Sequence, residues 1–404
     1  MIKTQGINYK NTINKKIQSL VKKKLNQKYS QTFKNILKEI NSNKNVLNTL
    51  NPQFKLNFSI KDLKKYKKFK KIVVLGMGGS ILGAKAIYFF LRKKIKKNFI
   101  FIDNIDEEQL NLLKQKHDFR KTLFLLISKS GNTIETLSIL GFLRILKKKT
   151  KNIIVISERK KNLLYLASKK LKIFHIEHRS YVGGRYSVFS EVGLVPAYLM
   201  GLNTTAFKKD LIKNIYLKNK SYFKNNLIKL SQIFKERKIK TLVLLNYAPH
   251  LNDFLYWCQQ LLAESLGKNS KGFLPIVSSA PKDHHSLLQL YLDGPRDKIF
   301  YVFSTDHDYK QKIKINFLNQ SNFLNNKSLS SIKKAQKNAF LKILKKKKIP
   351  FKEFIIKKKG EKIIGELFTH FIFETIVLGK LNNINPYNQP AVEQVKIETK
   401  KILI

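Results

Sequence analysis

Between residues 71 and 177 short apolar runs alternate with longer amphipathic stretches: KIVVL (71–75), FIFID (99–103), LFLLI (123–127), NIIVIS (152–157) and LKIFHIE (171–177). Each run has the length and β-branched content of a buried strand, and each connection is long enough for a helix. That alternation predicts a parallel sheet covered on both faces. A second alternating region holds TLVLLNY (241–247), GFLPIVSS (272–279), IFYVFST (299–305) and FKEFIIK (351–357). Strand signals lapse around 203–225, so the chain divides into two α/β units, over 51–215 and 216–384. Helical segments at 1–50 and 385–404 flank them. The first of these carries Ile, Leu and Phe at three- and four-residue spacing among lysines and is predicted helical.

Two connections in the first unit carry candidate chemistry. In LGMGGSILGAK, Gly76, Gly78 and Gly79 follow the strand and precede Ser80 and a helical stretch. Glycines there permit a tight turn and let backbone N–H groups face an anion. In SKSGNTIET, Ser128, Ser130, Asn132 and Thr133 crowd hydroxyls and an amide at a helix entrance after a buried strand. A helix cap alone would account for Ser128 or Ser130. Two such corners at the ends of neighbouring parallel strands would face one crevice, where open sheets bind ligands, and together they point to a phosphorylated small molecule. The glycine spacing is not a complete dinucleotide fingerprint. Asp103 nevertheless stands where a ribose would be held, which leaves a nucleotide open on the residues alone.

Charge changes the picture less than its size suggests. There are 80 lysines and arginines against 26 acids, a formal net charge of +54 over 404 residues. The lysines occur in nearly every segment (KKYKKFKK, LRKKIKKN, ILKKKTKN) with no recognisable nucleic-acid module beside them. Compositional drift toward lysine explains them better than a specific nucleic-acid face, and salt-sensitive adhesion to polyanions is its expected consequence. Cys258 is the single cysteine, which rules out an internal disulfide framework and suits a reducing compartment. No apolar run approaches the roughly 20 residues of a membrane span. GELFTHFIFETIVLGKL comes nearest, but its Glu366, His370 and Glu374 argue for a core helix. The first 38 residues lack acids, but they also lack arginine and a cleavage pattern, so a cytoplasmic location is expected.

VGGRYSVFSEVGLVPA (182–197), QQLLAESLGK (259–268), PKDHHSLLQLYLDGP (281–295) and NPYNQPAVEQVK (385–396) follow the two cradles in order. Together these segments resemble the glucose-6-phosphate isomerase family over roughly residues 70 to 400. The resemblance implies two doubly wound parallel-sheet sugar isomerase domains with helical N- and C-terminal extensions. It further implies a homodimer with its active site near the interface, a sugar phosphate as substrate, and no nucleotide, metal or other cofactor. By position, Glu264 resembles the base, His285 the ring-opening acid, Arg185 the group facing the reacting carbons and Lys396 a C-terminal catalytic lysine. Gly79, Ser80, Ser128, Lys129, Ser130, Thr133, Gly184, Gln260 and Gln389 resemble the substrate and phosphate contacts, with Thr136 supporting them. Two local departures stand out. His284 replaces a glutamine, and AVEQVK replaces the usual GVELGK.

These residue types suit an aldose–ketose isomerisation. Ring opening needs an acid, proton transfer between adjacent carbons needs one base, and the enediolate needs a fixed positive group. His285, Glu264 and Arg185 supply one each. The apolar neighbours of Glu264 in LLAESLG lead us to expect a partly desolvated carboxyl with a raised pKa. Adjacent histidines point in different directions on a helix, so His284 and His285 do not make a metal pair. Two alternatives accompany this reading: an enzyme that also accepts mannose 6-phosphate, and a regulatory module that binds sugar phosphates without converting them.

Overall fold

The computed structural model describes residues 2–3, 6–13, 17–212, 220–306, 311–314 and 323–404. Its strands, in chain order, are β1 (Ile2–Lys3), β2 (Ile7–Asn11), β3 (Lys71–Leu75), β4 (Asn98–Ile102), β5 (Thr122–Ile127), β6 (Ile153–Ser157), β7 (Phe174–Glu177), β8 (Thr241–Asn246), β9 (Leu274–Ser279), β10 (Lys298–Thr305) and β11 (Phe351–Ile356). Every apolar run singled out in the sequence is one of β3 to β11. The first sheet runs β4-β3-β5-β6-β7 and is parallel throughout. Its order reverses at β3, where the chain steps outward to β4 and then back past β3 to β5. The mouths of both cradles therefore open side by side, after β3 and after β5.

The second sheet runs β1-β2-β11-β10-β8-β9, with β8 to β11 parallel. Here the expectation of a wholly parallel sheet and an all-helical first 50 residues needs correction. β2 lies antiparallel to β11, with Tyr9 opposite Phe354, and β1 folds back on β2. A helix over Ser19–Asn41 follows. The segment INYKN has little intrinsic strand character, and what fixes it is the open edge of β11, a tertiary partner that local periodicity does not reveal.

Alternate residues of the inner parallel strands enter different cores, which is why those strands read as continuous apolar runs rather than alternating ones. Val73 and Leu75 of β3 pack with Leu110, Ile139, Leu143 and Leu164 on the outer face of the first sheet. On the second sheet Val243, Leu245, Phe300 and Val302 meet Phe340 and Leu344 on its outer face. The remaining inward residues of both sheets share one cluster with the helices Leu82–Phe90, Glu191–Leu199, Asn252–Leu266 and Glu361–Leu381. Helix Leu82–Phe90 packs directly on Asn252–Leu266, joining the two units across the middle.

The long helix Glu361–Leu381 is the core helix its acids predicted. Its Glu374 accepts from Lys352 Nζ at 2.6 Å and Tyr301 Oη at 2.5 Å, and its Glu366 accepts from Tyr9 Oη at 3.2 Å. Partnering of this kind makes buried carboxylates tolerable. Among the described residues no helix is long and apolar enough to cross a membrane.

Candidate active site

The first cradle is built by close approach of backbone. Gly78 has φ +52°, in the left-handed region that favours glycine, and a Cβ there would stand 2.7 Å from Gln260 Nε2. At Gly79 a Cβ would fall 2.2 Å from the carbonyl carbon of Gly184 and 2.5 Å from Arg185 N. The loop after β3 thus lies flush against the 182–186 segment and the helix Asn252–Leu266. Ser187 Oγ adds hydrogen bonds to Gly184 O at 2.7 Å and Gly79 O at 3.3 Å. Ser80 sits half-buried beside them.

The second cradle holds its hydroxyls together. Ser128 Oγ and Thr133 Oγ1 are 2.9 Å apart, and Ser130 Oγ lies 3.4 Å from the same Thr133 oxygen. Gly131 N donates to Ser128 Oγ at 3.2 Å and Asn132 N to Ser130 Oγ at 3.3 Å. Gly131, with φ +64°, leaves no room for a Cβ beside Asn162. Lys129 Nζ stands 3.8 Å from Glu158. Burial, with help from Lys160 and Arg185 and against the pull of Glu158, holds the Lys129 ammonium below its ordinary pKa. Thr136 Oγ1, in the first turn of the following helix, is buried with no hydrogen-bond partner among the described residues.

Arg185 is the hub of the site and is itself 2% exposed. Its Nε donates to Ser265 Oγ at 2.8 Å and its Nη1 to Glu264 Oε2 at 3.1 Å and to Gln389 Oε1. Its Nη2 donates to the carbonyls of Pro386 at 2.8 Å and Asn388 at 3.1 Å. Glu264 Oε1 accepts from Gln260 Nε2 at 2.9 Å, one helical turn earlier, while Gln260 Oε1 is buried without a partner among the described residues. The apolar neighbours in the sequence do not surround the carboxylate. Two donors do, and the Glu264 side chain keeps 25% of its surface open. Lys268 closes the arrangement by donating to Ser265 O at 3.1 Å and Asn385 O at 2.5 Å, tying the 385–389 loop to the helix end. Burial and Arg185 push the Lys268 ammonium down to about 8, against the opposing effect of Glu264.

Gly79, Gly184, Arg185, Gln260, Glu264 and Gln389 therefore meet at one place, between the two units. Two expected members lie elsewhere. His285 is exposed at the end of the short turn Lys282–His285 that follows β9, and it has no hydrogen bond to the Arg185 group. Its neighbour His284 turns inward, 2.8 Å from Tyr247 Oη and packed on Phe340. Lys396 lies on the helix Ala391–Ile402, which buries none of its residues, and it pairs with Glu393 at 2.7 Å. Asp103 is engaged by Lys85 Nζ at 2.8 Å, and Lys85 also approaches Asp253 of the second unit at 3.7 Å. A ribose would have to displace that pair. No group of three metal-ligating side chains converges among the described residues. Nothing in the sequence alone singles out Ser265, Tyr186 or Lys268, although Ser265 and Tyr186 adjoin Glu264 and Arg185 and Lys268 follows Glu264 by four residues.

The sequence pattern of phosphoglucose isomerase matches residues 11–404. The chain belongs to the phosphoglucose isomerase family. The glucose-6-phosphate isomerase of Methanocaldococcus jannaschii is 34% identical over 360 residues, 83% of this chain and 85% of the relative. That of Mycoplasmopsis synoviae is 30% identical over 357 residues, 81% of each. A hypothetical protein of Thermus thermophilus superposes with a TM-score of 0.82 at 25% identity, over 95% of this chain and 97% of its own. The Chlamydia trachomatis glucose-6-phosphate isomerase, at 17% identity and a TM-score of 0.77, shares the fold over 99% of this chain and 89% of its own. Phosphoglucose isomerase family membership supports isomerase activity on a sugar phosphate.

Proposed function

We propose that this protein interconverts glucose 6-phosphate and fructose 6-phosphate by ring opening and proton transfer through a cis-enediolate, in the cytoplasm and without metal or nucleotide. The observation that carries the reading is the pairing of a partly open Glu264 carboxylate with the buried Arg185 guanidinium. In the ketose-to-aldose direction Glu264 takes a proton from C1 of the open chain and returns it to C2. Arg185, held beside the base, supports the negative charge that develops on the enediolate oxygen. Ser128, Lys129, Ser130 and Thr133 take the phosphate, with the orphaned Thr136 hydroxyl at their back. Gly79, Ser80, Gly184, Gln260 and Gln389 line the sugar. The doubly wound reading of the two sheets fits this placement, because the crevice lies where the first sheet's strand order reverses.

Ring opening is assigned to His285 and a further polar contact to Lys396, and both need a second copy or a movement to reach the sugar. A homodimer answers for His285. The turn that carries it follows β9, the edge strand of its sheet, where Leu274 and Ile276 are 64% and 38% exposed. Purified, chelator-treated protein should form glucose 6-phosphate from fructose 6-phosphate, with a parallel mannose 6-phosphate arm reading selectivity at C2. Glu264→Gln should lower turnover by about 10²- to 10⁴-fold, the usual worth of a general base. Near-normal turnover by that variant, or absolute dependence on an added divalent ion, would overturn the assignment.

A further inference from the structure

Five N–H bonds are available on a guanidinium, and in Arg185 all five are used: one at Nε, two at Nη1 and two at Nη2. The acceptors differ in kind. Nη1 faces two long side chains, Glu264 and Gln389, whereas Nε and Nη2 face Ser265 Oγ and two main-chain carbonyls. Behind the latter group stands Tyr186, whose Oη is 2.9 Å from Ser265 Oγ and 2.9 Å from Pro386 O. Arg185, Ser265, Tyr186 and the Pro386 carbonyl thus close a ring of four hydrogen bonds.

The protons in that ring have one consistent arrangement. Arginine only donates and a carbonyl only accepts, so Arg185 Nε–H points to Ser265 Oγ while Nη2–H points to Pro386 O. Tyr186 has one proton, and sending it to Ser265 would leave its oxygen facing Pro386 O with nothing between them. The phenol therefore donates to Pro386 O, and Ser265 Oγ–H donates to Tyr186 Oη. Burial pushes the Tyr186 phenol above its ordinary pKa, so that proton stays in place. Both hydroxyl side chains are buried, Ser265 completely and Tyr186 to within 2%. Water cannot easily stand in for either.

We infer that Ser265 and Tyr186 are positioning residues that lock the Nε and Nη2 edges of the Arg185 guanidinium, so that only Nη1, whose acceptors are the side chains of Glu264 and Gln389 and not main chain, can exchange a partner for the reacting sugar. The inference rests on the isomerase reading above and deepens it. A charge fixed in advance at the position where an oxyanion develops favours the transition state without reorganising, whereas a guanidinium free to tilt would follow the base or the loop instead. Ser265 also adjoins Glu264 on one helix, so base and arginine are indexed to the same backbone. Tyr186 adjoins Arg185 and reaches the 385–389 loop, so the loop carrying Gln389 is held in the same register.

The test compares wild type with Ser265→Ala, Tyr186→Phe and the double variant, with circular dichroism confirming the fold of each. Steady-state assays on fructose 6-phosphate are joined by inhibition with two probes, a five-carbon phosphohydroxamate that mimics the enediolate and sorbitol 6-phosphate, a saturated ground-state analogue. Turnover should fall by about 10- to 100-fold in Ser265→Ala, and by less in Tyr186→Phe, with KM within about threefold of wild type. Hydroxamate affinity should fall in step with turnover while sorbitol 6-phosphate affinity holds. Because the ring acts as a unit, the double variant should lose little beyond Ser265→Ala alone.

Tyr186→Phe with turnover and hydroxamate affinity both unchanged would overturn the inference. So would equal losses for the two probes, which is the mark of a collapsed site rather than a tilted arginine. If wild type converts fructose 6-phosphate and prefers the hydroxamate, such results sink the positioning role alone. An inactive wild type sinks the isomerase reading and this inference together.

Discussion

Gly79 shows how much of the site depends on the absence of a single atom. Its Cα faces the Gly184 carbonyl across a gap that a methyl group cannot enter, and both sides of the gap are backbone. Gly79→Ala must separate the first cradle from the arginine loop, and overpacking of this kind costs about 1–3 kcal/mol or more. We expect a lower melting temperature and loss of most activity. Gly141→Ala is the control, since a Cβ there meets nothing within 4 Å and the residue lies inside the helix Ile134–Leu143. That change should be neutral or stabilising by about 0.5–1 kcal/mol. Thermal melts and assays of the two variants side by side check the contrast. Equal behaviour would mean that the Gly79 to Gly184 contact is not tight in solution. At this scale the sequence is informative where chemistry and turn geometry demand particular residue types, as at Arg185, Glu264 and the cradle glycines. It is silent on Ser265 and Lys268, whose importance lies in which partners the fold brings to them.

The inner strands among β3 to β11 are legible because burial on both faces leaves continuous apolar runs, the edge strands β7 and β9 because they stay largely apolar although partly exposed, and the helix Glu361–Leu381 because its acids interrupt an otherwise uniform apolar stretch. β2 is not legible, since a short polar-flanked segment becomes a strand only when β11 offers it an edge. Nor does spacing say that the helix carrying Lys396 stands clear of the site, which is a matter of packing and not of periodicity. At β7 the element itself has a pH signature. His175 lies in the strand and His178 just after it, and both are lowered to about 4, chiefly by burial, with Arg159 acting on the first and Lys129 on the second. The unfolded chain binds these protons near pH 6.5 and the folded chain only near 4, so stability is fully present above about 6.5 and declines as pH falls through that window. For the deeply buried His178 the slope reaches about 1.4 kcal/mol per pH unit, with less from the more solvated His175. Urea midpoints measured from pH 7.5 to 4.5 should drop on acidification, and His178→Gln should flatten the curve. An unchanged slope in that variant would show that other groups govern the acid limb.

For the whole molecule, the shared core between the sheets fixes the two units against each other, and the site forms where their loops meet. Lys85, bridging Asp103 and Asp253, adds a charged tie across the same boundary. This arrangement brings Glu264, Arg185 and the cradles together from one chain but leaves the His285 imidazole exposed and outside the Arg185 network. A partner copy presenting its own His285 turn to the site would resolve that separation, and it makes a prediction that depends on no single contact. On the proposed mechanism Glu264→Gln lacks the base and His285→Ala lacks the ring-opening acid, so each alone should turn over cyclic fructose 6-phosphate poorly. Coexpression, or dissociation and reassociation of the mixed variants, should yield heterodimers. If each site takes Glu264 from one copy and His285 from the other, one of the two sites in each heterodimer holds both intact. Activity should therefore reappear on mixing, approaching about one quarter of wild type when the copies pair at random, because half of the dimers then carry one good site of two. Size-exclusion chromatography with light scattering would establish the dimer, and tagged copies would isolate the mixed species. Recovery tracking the heterodimer fraction supports a shared site, whereas mixed dimers as inactive as their parents would place His285 and Glu264 in the same subunit's site or remove His285 from the reaction.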